Sequence, residues 1–97
     1  MENLVIRRYY INHSDKHPIK IPKGAQLLVV EADKWDYYVH ALVDPNTTQT
    51  EKYYFKIYSV GLTHETKIQN GYSYLGSASA FLGGVTRVIH VFYSKSK

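Results

Sequence analysis

Hydrophobic and polar positions alternate with a period of two along much of the chain, the spacing at which neighbouring side chains fall on opposite faces of an extended strand. The longest such run is EKYYFKIYSV, residues 51–60, where Tyr53, Phe55 and Ile57 share one face and Tyr54, Lys56 and Tyr58 the other. In WDYYVHALV, residues 35–43, the set Trp35, Tyr37, Val39, Ala41 and Val43 is the more apolar, opposite Asp36, Tyr38, His40 and Leu42. No apolar period of 3.6 residues persists for three turns, so no helix is predicted. β-Branched and aromatic runs bounded by turn residues instead predict strands over 3–12, 17–22, 26–32, 35–43, 51–60, 72–79 and 84–93.

The punctuation between these runs is also that of a β protein. Pro22-Lys23-Gly24-Ala25 reads as a turn, Asp33-Lys34 as a tight hairpin connection, and Asn70-Gly71 as a strong turn dipeptide. Residues 61–70 are the least regular stretch, and Pro18 and Pro22 suit the second strand to a sheet edge. GSASAFLGG, residues 76–84, holds three of the six glycines. It reads as a turn joining the last two strands, and as a ligand-facing loop if a second subunit lies against it. Seven strands with short connections predict an all-β fold, a small antiparallel barrel or two-sheet sandwich, with residues 1–97 as a single domain. At this size there is one core and no room for a deep internal cavity, so a site is expected in a surface groove or at a subunit interface.

Composition narrows the function classes. A 44 % hydrophobic and 21 % charged chain is globular rather than disordered. With no cysteine there are no disulfides, thiolate metal sites or cysteine nucleophiles. The only apolar run near the start, Leu4-Val5-Ile6, is too short for a signal peptide, and nothing approaches a membrane span, which predicts a soluble intracellular protein. The net charge of +4 comes from dispersed lysines and arginines, favouring small anions over DNA or RNA as partners.

No HExxH, GxSxG, P-loop or embedded carboxylate pair is present, so neither an enzyme nor a cofactor or metal is expected. A nuclease or phosphodiesterase would have only His64 and His90 to use. His13 and His17 are four apart in a loop, whereas His40 and His90 lie mid-strand and are expected to be hydrogen-bonded structural groups. Arg7 and Arg8 are adjacent in a strand and must point to opposite faces, as ordinary surface ion pairs or as phosphate-binding forks. Arg87 sits among apolar neighbours in GVTRVIHVF and calls for a fixed anionic partner. Tyr72 and Tyr74 share a face, where they could pack across the sheet or stack bases. Ser77 and Ser79 could add hydroxyls to an anion nearby. The outward Tyr54, Lys56, Tyr58 stripe is either a solvated surface or a protein interface.

The segments IPKGA (21–25), ALVDP (41–45), FKI (55–57), GLTH (61–64), YLG (74–76), Gly83-Gly84 and HVF (90–92) occur in an order and spacing that resembles a family of small phage-encoded proteins labelled a domain of unknown function. The loop Gly61-Leu62-Thr63-His64 departs from the family's Gly-Thr-Gly-His by lacking the second glycine. The chain is also similar to anti-CBASS sponges, homo-oligomers that sequester cyclic dinucleotide signals such as cyclic GMP-AMP without cleaving them. That resemblance implies a cyclic dinucleotide ligand, with Arg7, Arg8 and Arg87 toward phosphates, Tyr9, Tyr72 and Tyr74 toward bases, and Thr63, His64, Ser77 and Ser79 as polar contacts. It further implies a homo-oligomer, a dihedral tetramer, in the cytoplasm of an infected bacterial host, with no membrane or nucleic-acid partner. The alternative is a phage protein-binding inhibitor or structural interaction module that works through the Tyr54, Lys56, Tyr58 stripe.

Overall fold

The seven alternating runs form seven strands: β1 (Val5–Ile11), β2 (Ile19–Pro22), β3 (Gln26–Asp33), β4 (Asp36–Val43), β5 (Thr50–Ser59), β6 (Ser73–Leu82) and β7 (Val85–Ser94). The computed structural model describes residues 3–11, 17–61 and 71–95, and no helix forms among them. The strands make two antiparallel sheets, ordered β1-β4-β3 and β2-β5-β7-β6. The sheets stay separate, so the architecture is the two-sheet sandwich and not the closed barrel. β3 packs across to β6, which brings the two sheets together along one side.

Alternation decides what lies between the sheets. Val39, Ala41 and Val43 of β4 face Tyr53, Phe55 and Ile57 of β5 and Ile89 and Val91 of β7, with Ile11 and Ile21 completing the core. These are the inward sets that the period of two picks out, and burying each large apolar side chain stabilises the fold by about 1.5–3 kcal/mol.

Two local expectations are corrected. The β3–β4 hairpin pairs Asp33 with Asp36, so its loop is Lys34-Trp35 rather than Asp33-Lys34. A two-residue loop matches the strand twist only with positive φ, and Lys34 supplies it at 58°. Trp35 therefore leaves the apolar face of β4 and stands 66 % exposed.

The second correction concerns GSASAFLGG. β6 continues to Leu82, and the turn is Gly83-Gly84 alone, at φ 62° and 82°, the positive values a two-residue hairpin loop requires. The small residues belong to the strand. After a bulge between Tyr74 and Gly76, Gly76 and Ala78 occupy inward positions opposite Val91 and Ile89. A Cβ at Gly76 would meet Val30 of β3 at 3.7 Å, so small residues here accompany the approach of the two sheets.

Candidate functional site

β5 stops pairing with β7 at Ser59 and Ile89, whereas β6 and β7 stay paired out to Leu82 and Val85. The β6–β7 hairpin thus projects past the end of β5. Arg87 lies on the inner face of this projection, one inward position beyond the buried Ile89 and opposite Ala80. Its guanidinium reaches the hairpin end of the other sheet. Nη2 donates to the Tyr37 hydroxyl and, at 3.5 Å, to Ser59 Oγ. Cζ lies 4.7 Å from the Trp35 ring centroid and 5.6 Å from that of Tyr37.

The anionic partner expected for Arg87 is not found among the described residues. Two aromatic rings and two hydroxyls frame the cation instead, and Nη1 is shielded from solvent with no hydrogen-bond partner. A guanidinium is planar and presents paired donors suited to a phosphate or carboxylate, so an anion at this end would satisfy both the unmatched charge and the unused donor. Exposed Trp35 offers a ring face beside it. Val60, whose N–H donates to the Val88 carbonyl at 2.9 Å, and Phe81 and Val85 on the projecting hairpin add exposed apolar surface to the same end.

A second cluster covers the outer face of the β2-β5-β7-β6 sheet. Tyr74 packs on Phe92 at 5.2 Å and on His90 at 5.8 Å between centroids, and a 2.9 Å hydrogen bond joins its hydroxyl to His90 Nδ1. Tyr58 meets Phe92 edge-on at 5.9 Å, and Lys56 Nζ lies 5.3 Å from the Tyr72 ring centroid. Ser77 and Ser79 stand opposite His90 and Val88 on this face. His90 is the hydrogen-bonded mid-strand histidine that its position suggests.

A third cluster lies on the outer face of the other sheet. Arg8 Nη1 donates to Glu31 Oε2 at 3.3 Å, His40 Nε2 donates to Glu31 Oε1 at 2.8 Å, and the Arg8 guanidinium lies 4.0 Å from the Tyr38 ring centroid. The hydrogen bond from His40 holds the Glu31 carboxyl below its ordinary pKa of 4.5, against some desolvation and with help from the Arg8 charge. A lowered folded-state value means the carboxylate stabilises the fold above the ordinary value and ceases to do so as pH falls through the lowered one. The urea midpoint should therefore fall more steeply in the wild type than in Glu31→Gln as pH drops from about 5 to about 3. Parallel curves would show that the contacts of Glu31 contribute nothing to stability.

The structure divides the predicted ligand residues among these places. Tyr72, Tyr74, Ser77 and Ser79 come together on one outer face and Arg8 sits on the opposite one. Tyr9 is half-buried against the core, and Arg7, on an inward position opposite Ala41, is exposed. Arg87 belongs to the hairpin end, while Thr63, His64 and His13 lie outside the described residues. Sequence reasoning missed Trp35, Tyr37 and Ser59 as neighbours of Arg87. The signal that was there is the lone tryptophan next to a hairpin connection, where a large ring has no strand partner to cover it.

Fold and site together define an all-β sandwich with an aromatic-framed arginine at one end. The chain belongs to the family described as a domain of unknown function, DUF7352, whose model matches residues 2–97. No curated protein and no solved structure gives a significant match. Among the described residues no group of three or more histidines and carboxylates could hold a metal ion, and no helix is long and apolar enough to cross a membrane.

Proposed function

We propose that this chain binds a nucleotide at the Arg87 end and holds it without cleaving it. The observation that supports the reading is the guanidinium itself, a partly buried cation framed by Trp35, Tyr37 and Ser59 with Nη1 unpartnered. Arg87 would take a phosphate and Trp35 a base. Holding a ligand needs no general base, so the absence of a catalytic motif in the sequence is compatible with the reading.

Magnitudes favour a ligand with two phosphates shared between copies. A charge-assisted hydrogen bond contributes about 1.5–3 kcal/mol and a stacked base about 1–3 kcal/mol. One Arg87 and one Trp35 thus supply about 2.5–6 kcal/mol, whereas nanomolar sequestration requires about 12 kcal/mol. Two copies facing one cyclic dinucleotide double the first figure. The full reading is a phage immune-evasion sponge, a homotetramer in the cytoplasm of the infected bacterium that withholds a signal such as cyclic GMP-AMP from its CBASS effector. Calorimetry against a panel of cyclic dinucleotides, followed by recovery of the ligand after heat denaturation, tests it. Tight binding with intact ligand recovered is expected. Failure to bind any member of the panel would remove the reading, and linearised product would replace it with an enzyme.

A second reading is favoured by the aromatic face of Tyr58, Tyr74, His90 and Phe92. Tyrosine-rich faces are common at protein interfaces, and here the chain would act as an inhibitor or interaction module for a protein partner. Stoichiometric capture of one host protein that survives nuclease treatment and is lost in Tyr74→Ala would support it over the sponge.

A further inference from the structure

Four strands end a sheet: β1 and β3 in one, β2 and β6 in the other. An edge strand presents a row of unpaired backbone N–H and C=O groups, and proteins blunt such edges with short strands, prolines, charged side chains, bulges or a covering element. Three of these edges are blunted. β2 has four residues, ends on Pro22 and follows Pro18 closely. β3 carries a bulge between Leu27 and Val29 and β6 one between Tyr74 and Gly76, and these two edges pack against each other. Among the described residues β1 has no proline, bulge or covering element, and its one inward-pointing charge is Arg7. Its seven residues run in unbroken register with β4, without proline or glycine, and Leu4, Val5, Ile6 and Tyr10 are exposed on and beside it.

We infer that β1 is a self-pairing edge: it adds antiparallel to β1 of a second copy about a two-fold axis at Arg8, joining two three-stranded sheets into one of six. The self-complementarity of the strand selects this occupant and this register. Pairing all seven residues of both strands sets Ile6 opposite Tyr10 of the second copy on the outer face. On the inner face it sets Val5 opposite Ile11 and Arg7 opposite Tyr9. Apolar against apolar and cation against ring are favourable cross-strand pairs. The one like-charge pair is Arg8 with its counterpart, and each Arg8 is already matched by Glu31 at 3.3 Å and laid on the Tyr38 ring. A shift of two residues either way shortens the ladder and sets Arg8 against Ile6 or Tyr10. Because the contact is isologous it closes on itself and leaves no β1 edge to propagate a fibre.

The inference does not rest on the nucleotide reading, since Arg87, Trp35 and Ser59 lie on other elements. In a dihedral tetramer it supplies one of the two-fold contacts and leaves the Arg87 ends for another.

The chain has no cysteine, so Arg8→Cys carries a single thiol, placed about 5 Å from its counterpart if the strands pair as described. Mild oxidation should cross-link this variant at least about tenfold faster than Val29→Cys on the edge strand β3, because pairing raises the effective thiol concentration. Light scattering should give the wild type an even number of chains. Ile6→Lys should lower that mass, and adding Tyr10→Glu should restore it, since the two charges then face each other across the two-fold. Circular dichroism confirms folding, which these exposed positions should tolerate. A monomeric wild type, an unchanged mass in Ile6→Lys, or equal cross-linking in the two thiol variants would each overturn the inference.

Discussion

Arg87→Met is expected to weaken nucleotide binding by about a hundredfold, the equivalent of about 2–3 kcal/mol for the loss of a charge-assisted contact, while leaving the chain folded. Methionine keeps the apolar stem that packs beside Trp35 and Tyr37 and removes only the charge and the donors. Its stability should change by no more than about 1 kcal/mol, because the lost guanidinium contacts with Tyr37, Ser59 and the two rings are offset by relief of the unsatisfied Nη1. In the wild type Nη1 is shielded without a hydrogen-bond partner, and a buried polar group left unsatisfied is a cost that the thioether does not carry. Arg87→Lys separates charge from geometry: an ammonium retains the attraction but lacks the planar fork, so it should bind more weakly than the wild type and more tightly than Arg87→Met. Trp35→Ala, at an exposed hairpin position, should weaken binding by the value of one stacked base, about 1–3 kcal/mol. Calorimetry with one cyclic dinucleotide and a urea titration of each variant give all these numbers. Undiminished affinity in Arg87→Met would place the ligand elsewhere, with the outer face around Tyr74 as the first alternative.

The unequal effects expected on binding and on stability are informative about how the site is made. A group placed for packing loses both when truncated. Arg87 sits where β7 has outrun β5 and where the core residues Ile57 and Ile89 give way to Ser59 and Arg87 along the same inward faces. The fold thus positions a cation at the end of its apolar stripe, and no carboxylate among the described residues neutralises it.

That placement explains what could be read from the chain beforehand. The strand cores were legible because alternation is a local property: Val39, Ala41 and Val43, and Tyr53, Phe55 and Ile57, are separated by two residues whatever the rest of the chain does. The hydrogen bonding of His40 and His90 followed from their mid-strand positions, although their partners Glu31 and Tyr74 lie on neighbouring strands and depend on pairing. Misplacing the β3–β4 loop by one residue put Trp35 at the head of a strand instead of in the turn, where no neighbouring strand covers its ring, while the faces of Tyr37, Val39, Ala41 and Val43 were unaffected. GSASAFLGG misled for a different reason. Glycine and serine are turn residues by propensity, and what keeps Gly76 to Ala80 in a strand is pairing with β7 and the nearness of β3, neither of which is visible locally. The Arg87 cluster joins residues from β4, β5, β7 and a hairpin loop. No spacing rule within one segment could have assembled it.

Phe55→Ala should have the largest effect on stability, a loss of about 3–5 kcal/mol as expected for removing a fully buried phenylalanine ring. Phe55 is 1 % exposed, lies parallel to the Tyr53 ring at 6.2 Å between centroids, and sits opposite Tyr93 of β7 in the interior of its sheet. Truncation leaves a ring-sized void that neighbours on paired strands cannot close, since moving them would break ladder hydrogen bonds. A domain of this size has about 5–15 kcal/mol in total, so the variant retains little margin, and its melting temperature should fall by about 15–30 °C. Phe81→Ala is the control, because that ring is 72 % exposed and its removal should change stability by no more than about 0.5 kcal/mol. Equal losses for the two would mean that burial does not rank these rings. The pair also tests the site. Ligand binds only the folded chain, so Phe55→Ala should show weakened apparent affinity that excess ligand recovers by mass action, and its melting temperature should rise with ligand concentration. Arg87→Met, folded and unable to hold the phosphate, should melt at a temperature that the same ligand barely moves.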